Sequence, residues 1–98
     1  MIIDVELAKK WLRVDADDED DIVELLVDAA EEYLEDATGK QFDATHKKAR
    51  LFCLVLVADW FDNRELIGQK PSEKVRASIQ SILAQLQHAP ERGDSSGV

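Results

Sequence analysis

The stretch DDEDDIVELLVDAAEEYLEDATG, residues 17–39, decides the fold class of this chain. It opens with an acidic run that suits the positive end of a helix dipole, and Asp17 or Asp18 can accept a bond from the free backbone N–H groups of a first turn. Apolar residues then recur at helical spacing up to Gly39, a residue type that often follows the last turn of a helix. We therefore predict a long helix from about Asp18 to Thr38.

This predicted helix is apolar around more of its circumference than a one-sided surface helix needs. A first apolar row consists of Ile22, Leu25, Leu26, Ala29, Tyr33 and Ala37, and a second consists of Val23, Val27, Ala30 and Leu34. Together the rows span roughly 200°, against the roughly 100° of a surface helix. We expect the helix to pack on two sides, with its remaining face formed by Glu24, Asp28, Glu31, Glu32 and Glu35.

The acidic run also raises the alternative of a divalent-metal site, and of an enzyme that would use it. A calcium loop of the EF-hand type needs Gly at its sixth position and Glu at its twelfth. In the frames that begin at Asp15 and Asp17, the sixth residue is Asp20 or Ile22, and neither frame has Glu at the twelfth. A helix start therefore explains the run better than a metal loop does.

Two shorter amphipathic helices are predicted nearer the ends of the chain. In the first, IIDVELAKKWLRV, Asp4 stands at the N-cap position and Ile3 can pack on Ala8. The last, SEKVRASIQSILAQLQ, follows a Gly and Pro break and has Ser72 as its cap. Both have apolar residues at helical spacing, so each should bury one face.

A further predicted helix, ATHKKARLFCLVLVADWFDNRE, carries the most apolar run of the chain. Asp43 can cap it, and residues 51–58 are apolar at every position. A helix that is apolar all round must be covered all round. Because the other helices are few and one of them is short, a second subunit is a reasonable source of the remaining cover.

These elements predict an all-α fold. We expect a small bundle of about four helices over residues 1–88, followed by a flexible tail over residues 89–98, where Pro90 and two glycines interrupt any apolar period. Ninety-eight residues suffice for one such domain. The residues expected to share its core are Trp11, Leu25, Leu26, Ala29, Leu54, Val57, Trp60, Ile79 and Leu83.

Side chains that catalyse reactions or bind metals are sparse and scattered. His46 and His88 are far apart in sequence and are expected to be solvated residues at helix ends, and the single Cys53 is expected in the core. GDSSG near the C-terminus is similar to a serine-protease loop, but its Ser95 lies in the predicted tail. We predict no catalytic residue, no cofactor and no metal site.

Charge is distributed unevenly along the chain. Residues 1–43 carry 15 acids and 4 bases, residues 44–98 carry 6 acids and 8 bases, and the net charge is −9. A net acidic chain without a basic stripe lacks the electrostatic footprint of a nucleic-acid-binding protein. The longest apolar run is too short to span a bilayer. These signals predict a soluble chain without a membrane partner.

The segment DVELAKKWLRVDADDEDDIVELLVDAAEEYLEDATGK resembles the opening of the phage head-tail connector proteins, the small helical adaptors of tailed bacteriophages. The resemblance rests on the combination of WLRVD, DDEDD, AAEEYLEDATGK and LVLVADWFDNRE. It covers residues 3 to about 87 and includes the final helix, VRASIQSILAQL.

The resemblance implies a structural virion protein and no reaction. Such proteins assemble as a ring under the portal vertex of a filled capsid, extend the DNA channel, and join the capsid to the next head-closure or tail protein. The implied partners are copies of the chain, the portal protein and that downstream protein, while DNA passes through the channel without specific binding. The implied location is the head-tail junction, after assembly in the bacterial host cytoplasm. The alternative is a small cytoplasmic helical protein-interaction or regulatory module.

Two sets of charged residues are candidates for the contacts of such a ring. Positive charge in the loop over residues 63–74 and just after it lies opposite an acidic first half, which favours head-to-tail pairing. The predicted interface set is Arg64, Glu65, Lys70, Lys74 and Arg76. An acidic helix face would suit a partner, or a channel that DNA traverses without sticking. That predicted set is Asp17, Asp18, Asp20, Asp21, Glu24 and Asp28.

Overall fold

The computed structural model describes residues 2–14 and 17–88, and for Asp17 it describes the backbone alone. Its helices are α1 (Val5–Leu12), α2 (Asp20–Thr38), α3 (Lys47–Asp62) and α4 (Glu73–Gln87), with single 3₁₀ turns at Asp17–Glu19 and Arg64–Leu66. No strand occurs within those residues, so the predicted all-α fold of four helices is confirmed. The tail predicted over residues 89–98 lies outside the described residues.

Helix α1 begins and ends with recognisable caps. Asp4 has an extended backbone, and its Oδ1 accepts a hydrogen bond from the Leu7 amide at 2.8 Å, as predicted. Arg13 follows the helix in the left-handed conformation, with φ of 62°. Its amide donates to the carbonyls of Lys9 and Lys10, which ends the helix cleanly.

Helix α2 ends where the sequence predicts but begins two residues later. Gly39 has φ of 68°, and its amide donates to the Glu35 carbonyl at 2.7 Å. At the other end, Glu19 occupies the N-cap position without a side-chain cap, and Asp18 lies inside the preceding 3₁₀ turn. Asp18 therefore does not stand at the N-cap of α2, and a cap by Asp17 stays a prediction, because its side chain lies outside the described part of the chain. The acidic residues of the first turn, Asp20 and Asp21, favour the helix through its dipole.

The buried side of α2 combines the second predicted row with Leu26 of the first row. Its fully buried residues are Val23, Leu26, Val27, Ala30 and Leu34. Leu25, predicted for the core, is 53% exposed on the opposite side. Because apolar residues cover so much of this helix, their spacing alone could not tell which row meets its neighbours.

Helix α3 is capped by a residue other than the predicted one. His46 stands at the N-cap, and its Nδ1 accepts from the Ala49 amide at 3.3 Å. Asp43 instead accepts from the Thr45 amide at 2.9 Å, forming a turn before the helix. His46 is buried against Phe42, whose ring centroid lies 4.8 Å from its own, so the expectation of a solvated histidine is wrong. His88 is exposed, as expected.

Within the monomer, helix α3 is covered only in part over residues 51–58, so the cover expected from a second subunit stays a prediction. Phe52, Cys53, Leu56 and Val57 have no exposed surface, whereas Leu51 is 43% exposed. The remaining members of the run are partly buried. One flank of the helix therefore stays open to solvent in the monomer.

The core lies between α2 and α3, which make the most extensive contact in the bundle, and α1 and α4 pack across both of them. Of the predicted core residues, Leu26, Val57, Trp60 and Ile79 are buried, and Ala29, Leu54 and Leu83 pack against the core with partial burial. Trp11 was predicted for the core but is 48% exposed. It lies near the end of a helix of two turns, where too few neighbours remain to cover an indole.

Candidate assembly surfaces

A buried carboxylate fixes the loop between α3 and α4. Asp59, 5% exposed, accepts from the Ser72 amide at 2.8 Å through Oδ2, and from the Ser72 hydroxyl through Oδ1. Asn63 donates to the same carboxylate at 3.3 Å. Ser72 stands at the N-cap of α4, as predicted, but its side chain makes no cap bond within that helix. Asp59 thus anchors the start of α4 from a neighbouring helix.

The next residue of α3 holds the same loop at a second point. The indole Nε1 of Trp60 donates to the Lys70 carbonyl at 2.9 Å, while the ring itself is fully buried. Sequence reasoning missed Asp59 because an acidic residue next to an apolar run is expected to be exposed on the surface. The helical spacing from Phe52 through Leu56 to Asp59 was the available signal, since it places all three on one side of α3.

The predicted interface residues do not form one patch. Arg64 lies 3.8 Å from the Glu19 carboxylate and 5.8 Å from the centroid of the Phe61 ring, so it already has partners within its own chain. Glu65 and Lys70 are exposed on the loop. Lys74 and Arg76 are exposed on α4. Two residues apart on a helix, they point in directions about 200° apart.

The predicted acidic set also divides. Asp20 lies 2.8 Å from the Nζ of Lys9, a residue only 7% exposed, so it joins the start of α2 to α1. Asp18 is exposed on the 3₁₀ turn that precedes α2. Asp17 lies outside the residues whose side chains are described.

The remaining predicted acids share the outer side of α2 with an apolar residue. We define the α2 face as Asp21, Glu24, Leu25, Asp28 and Glu32, all of them exposed. Their spacing places Leu25 within a row of carboxylates, directly opposite the buried row of the helix. Glu31 is not part of this face. Its Oε2 accepts a hydrogen bond from the Ile2 amide at 2.6 Å, which holds the start of the chain on α2.

An open groove of about 390 Å³ lies beside the uncovered flank of α3. Its apolar lining consists of Trp11 of α1, Val55 and Ala58 of α3 and Val75 of α4, and Lys74 belongs to its polar lining. Asp59, Asp62 and Asn63 also line it. The groove therefore combines an apolar lining with one amine and two carboxylates.

The same flank of α3 continues beyond the groove. Leu51 is one turn before Val55, and Lys47 is one turn before Leu51, so the three form a row. Lys47 and Leu51 are both exposed. We define the α3 face as Lys47, Leu51 and the groove. Sequence reasoning expected a second subunit to cover part of this run, but it did not identify which residues stay exposed.

Two titratable groups of the core, Cys53 and His46, have pKa values shifted by burial. Burial raises the pKa of the Cys53 thiol well above its usual range, and the Glu31 carboxylate acts in the same direction. Burial also lowers the pKa of His46, with Lys48 adding to the effect. Within residues 2–14 and 17–88, no three acidic, histidine or cysteine side chains come close enough to hold a metal ion. No described helix is long and apolar enough to cross a membrane.

Comparison with known proteins gives one match. A family model described as phage gp6-like head-tail connector protein matches residues 2–89. No curated protein and no solved structure matches the chain. The matched segment includes all four helices, the α2 face and the α3 face.

Proposed function

The chain belongs to the phage gp6-like head-tail connector proteins, and from that premise we propose that it assembles as a ring under the portal vertex and joins the filled capsid to the tail. The match over residues 2–89 is the observation that carries this proposal. It makes the chain a structural component of the virion, with portal and tail proteins as its neighbours at the head-tail junction. Assembly would take place in the host cytoplasm.

The shape of the surface supports an assembling protein. Trp11, Leu25 and Leu51 leave large apolar areas exposed, and an open apolar groove adjoins two of them. Apolar surface of this kind marks contact sites when it is grouped rather than scattered. A head-to-tail ring would cover two different surfaces on every subunit.

The charges support a channel that DNA crosses without binding. The chain has a net charge of −9, and the acids of the α2 face are exposed. Carboxylates repel the phosphate backbone, so a ring of such subunits would let DNA pass without retaining it. The basic residues Lys70, Lys74 and Arg76, exposed on the loop and α4, remain candidates for a contact with a neighbouring subunit or the portal.

Electron microscopy of the chain mixed with the portal protein of the same phage tests the proposal. We expect a ring of additional density on the face of the portal that points toward the tail. The same chain examined without portal shows whether the ring forms alone. A chain that stays monomeric and does not bind portal would contradict the ring and would favour the alternative, a small helical interaction module.

Charge reversal at Arg64 and Arg76 tests the predicted interface set. If both contact a neighbour, Arg64→Glu with Arg76→Glu should weaken assembly on the portal and make the remaining assembly less sensitive to salt. Arg76→Glu alone is informative because Arg64 also contacts Glu19 within its own chain. Lys10→Glu makes the same charge change on α1 and is the control. Unchanged rings at low salt would remove both arginines from the interface.

A further inference from the structure

The large apolar side chains that remain exposed in residues 2–14 and 17–88 are Trp11, Leu25 and Leu51. Leu25 belongs to the α2 face, Leu51 to the α3 face, and Trp11 to the groove that is part of the α3 face. A single exposed leucine needs no explanation. Here all three fall on two defined surfaces, which points to a function for those surfaces.

The two faces differ in shape and in charge. On the α2 face, Leu25 projects among four carboxylates. On the α3 face, Lys74 and Asp62 are the exposed charged residues of the groove lining, which also includes Asn63 and the buried carboxylate of Asp59, and Lys47 lies exposed two turns before Val55. The surface with the apolar projection therefore carries four carboxylates, and the surface with the apolar groove carries two exposed amines that can pair with them.

The two faces also lie on opposite sides of the bundle. The row of α2 centred on Leu26 and Val27 and the row of α3 centred on Leu56 and Val57 belong to one core, so each helix turns its buried side toward the other. The outer sides of α2 and α3 consequently point away from each other. The α2 face and the α3 face of one subunit therefore cannot contact each other.

We propose that the α2 face of one copy of this chain docks on the α3 face of the next, with Leu25 entering the groove beside Trp11 and Val55. The carboxylates around Leu25 then approach Lys47 and Lys74. The contact is heterologous, because the two surfaces differ, and it repeats from copy to copy until the ring closes. This inference rests on the proposed ring and names its subunit contact.

Chemical cross-linking between two differently tagged versions of the full chain tests the contact directly. One version carries Leu25→Cys and the other carries Leu51→Cys. The native Cys53 can stay, because it has no exposed surface. A short bifunctional maleimide reagent is applied to the mixture, both free in solution and bound to portal. We expect products that join the two tags in clear excess over products that join two identical tags.

The controls separate a specific contact from random collision. Gln80→Cys replaces Leu51→Cys in the matched control, since Gln80 is exposed on α4 and does not line the groove. Equal yields with Gln80→Cys, or a dominant product between two Leu25→Cys chains, would overturn the proposal. So would rings on the portal that give no product between positions 25 and 51, and that result would leave the ring itself standing. A product between positions 25 and 51 without portal binding would instead keep the subunit contact and remove the portal role.

Blocking variants add a test that distinguishes head-to-tail pairing from symmetric pairing. Leu25→Glu damages only the α2 face and Leu51→Glu only the α3 face, and both positions are exposed, so the fold should tolerate each change. Each variant alone should fail to form rings. Mixed together they should form discrete dimers, because each retains the face that the other has lost. Mixtures that stay monomeric at concentrations where the unaltered chain assembles would contradict the inference, with circular dichroism showing that both variants are folded.

Discussion

The protonation of His46 links the stability of this chain to pH. Its Nδ1 must be unprotonated to accept from Ala49, and burial lowers its pKa from the ordinary value of 6.5. A lowered folded-state pKa means that stability is complete above about pH 6.5 and declines as the pH falls below it, because the unfolded chain takes up the proton first. We therefore expect the free energy of unfolding, measured in urea, to decrease between about pH 7.5 and about pH 5.5.

Substitution by Asn isolates this effect, because Asn caps a helix without titrating. His46→Asn should flatten the decline over the same range, whereas His88→Asn, at an exposed position, should leave it unchanged. An equally steep decline in His46→Asn would assign the pH dependence to other groups.

Adjacent leucines on α2 provide a second test at the residue scale. Leu26 has no exposed surface, and Leu25 is 53% exposed. Leu26→Ala should lower the free energy of unfolding by about 2 to 5 kcal/mol. Leu25→Ala should change it by about 0.5 kcal/mol or less. A large loss at Leu25 in the monomer would show that the α2 face is covered by its own chain.

At the scale of elements, the attachment of α4 to α3 depends on Asp59. Asp59→Ala removes the acceptor of the Ser72 amide and hydroxyl and should cost about 2 to 3 kcal/mol. Asp59→Asn keeps one acceptor and should cost less. Chemical denaturation measures the loss, and hydrogen exchange at the first turn of α4 should accelerate with it. Asp62→Asn, an exposed change on the same helix, is the control; equal losses there would deny Asp59 this role.

Sequence reasoning predicted the helices better than their ends and faces. Apolar period and the stops at Gly39 and Pro71 suffice to define four helices. The cap of α3 differed because a histidine took the place that preference rules give to an aspartate, and α2 began later than predicted because a short 3₁₀ turn precedes it. The exposed side of each apolar helix could not be predicted, because it depends on where the neighbouring helices lie. For the same reason, the sequence analysis named the charged residues but did not predict how they are grouped on the surface.

At the scale of the whole molecule, uneven charge should make assembly sensitive to salt. The α2 face is acidic, and the exposed amines of the α3 face lie on the opposite side of the bundle. Raising the salt from about 0.1 M to about 1 M shortens the screening length from about 10 Å to about 3 Å. We expect a lower yield of rings on the portal across this range, measured by light scattering, with the fold unchanged by circular dichroism. A higher yield of rings at high salt would indicate that the subunit contact is dominated by apolar surface.

The burial of Cys53 allows the opening of the helical bundle to be measured in the unaltered chain, through chemical labelling of this thiol. A thiol with no exposed surface and a raised pKa reacts with a labelling reagent only after the helices around it separate. When reclosing is faster than labelling, the labelling rate measures the equilibrium population of the opened subunit. Neighbours that bind only the folded subunit lower that population by mass action. Cys53 in a ring should therefore be labelled more slowly than Cys53 in a free subunit, without any probe attached to the surfaces in contact.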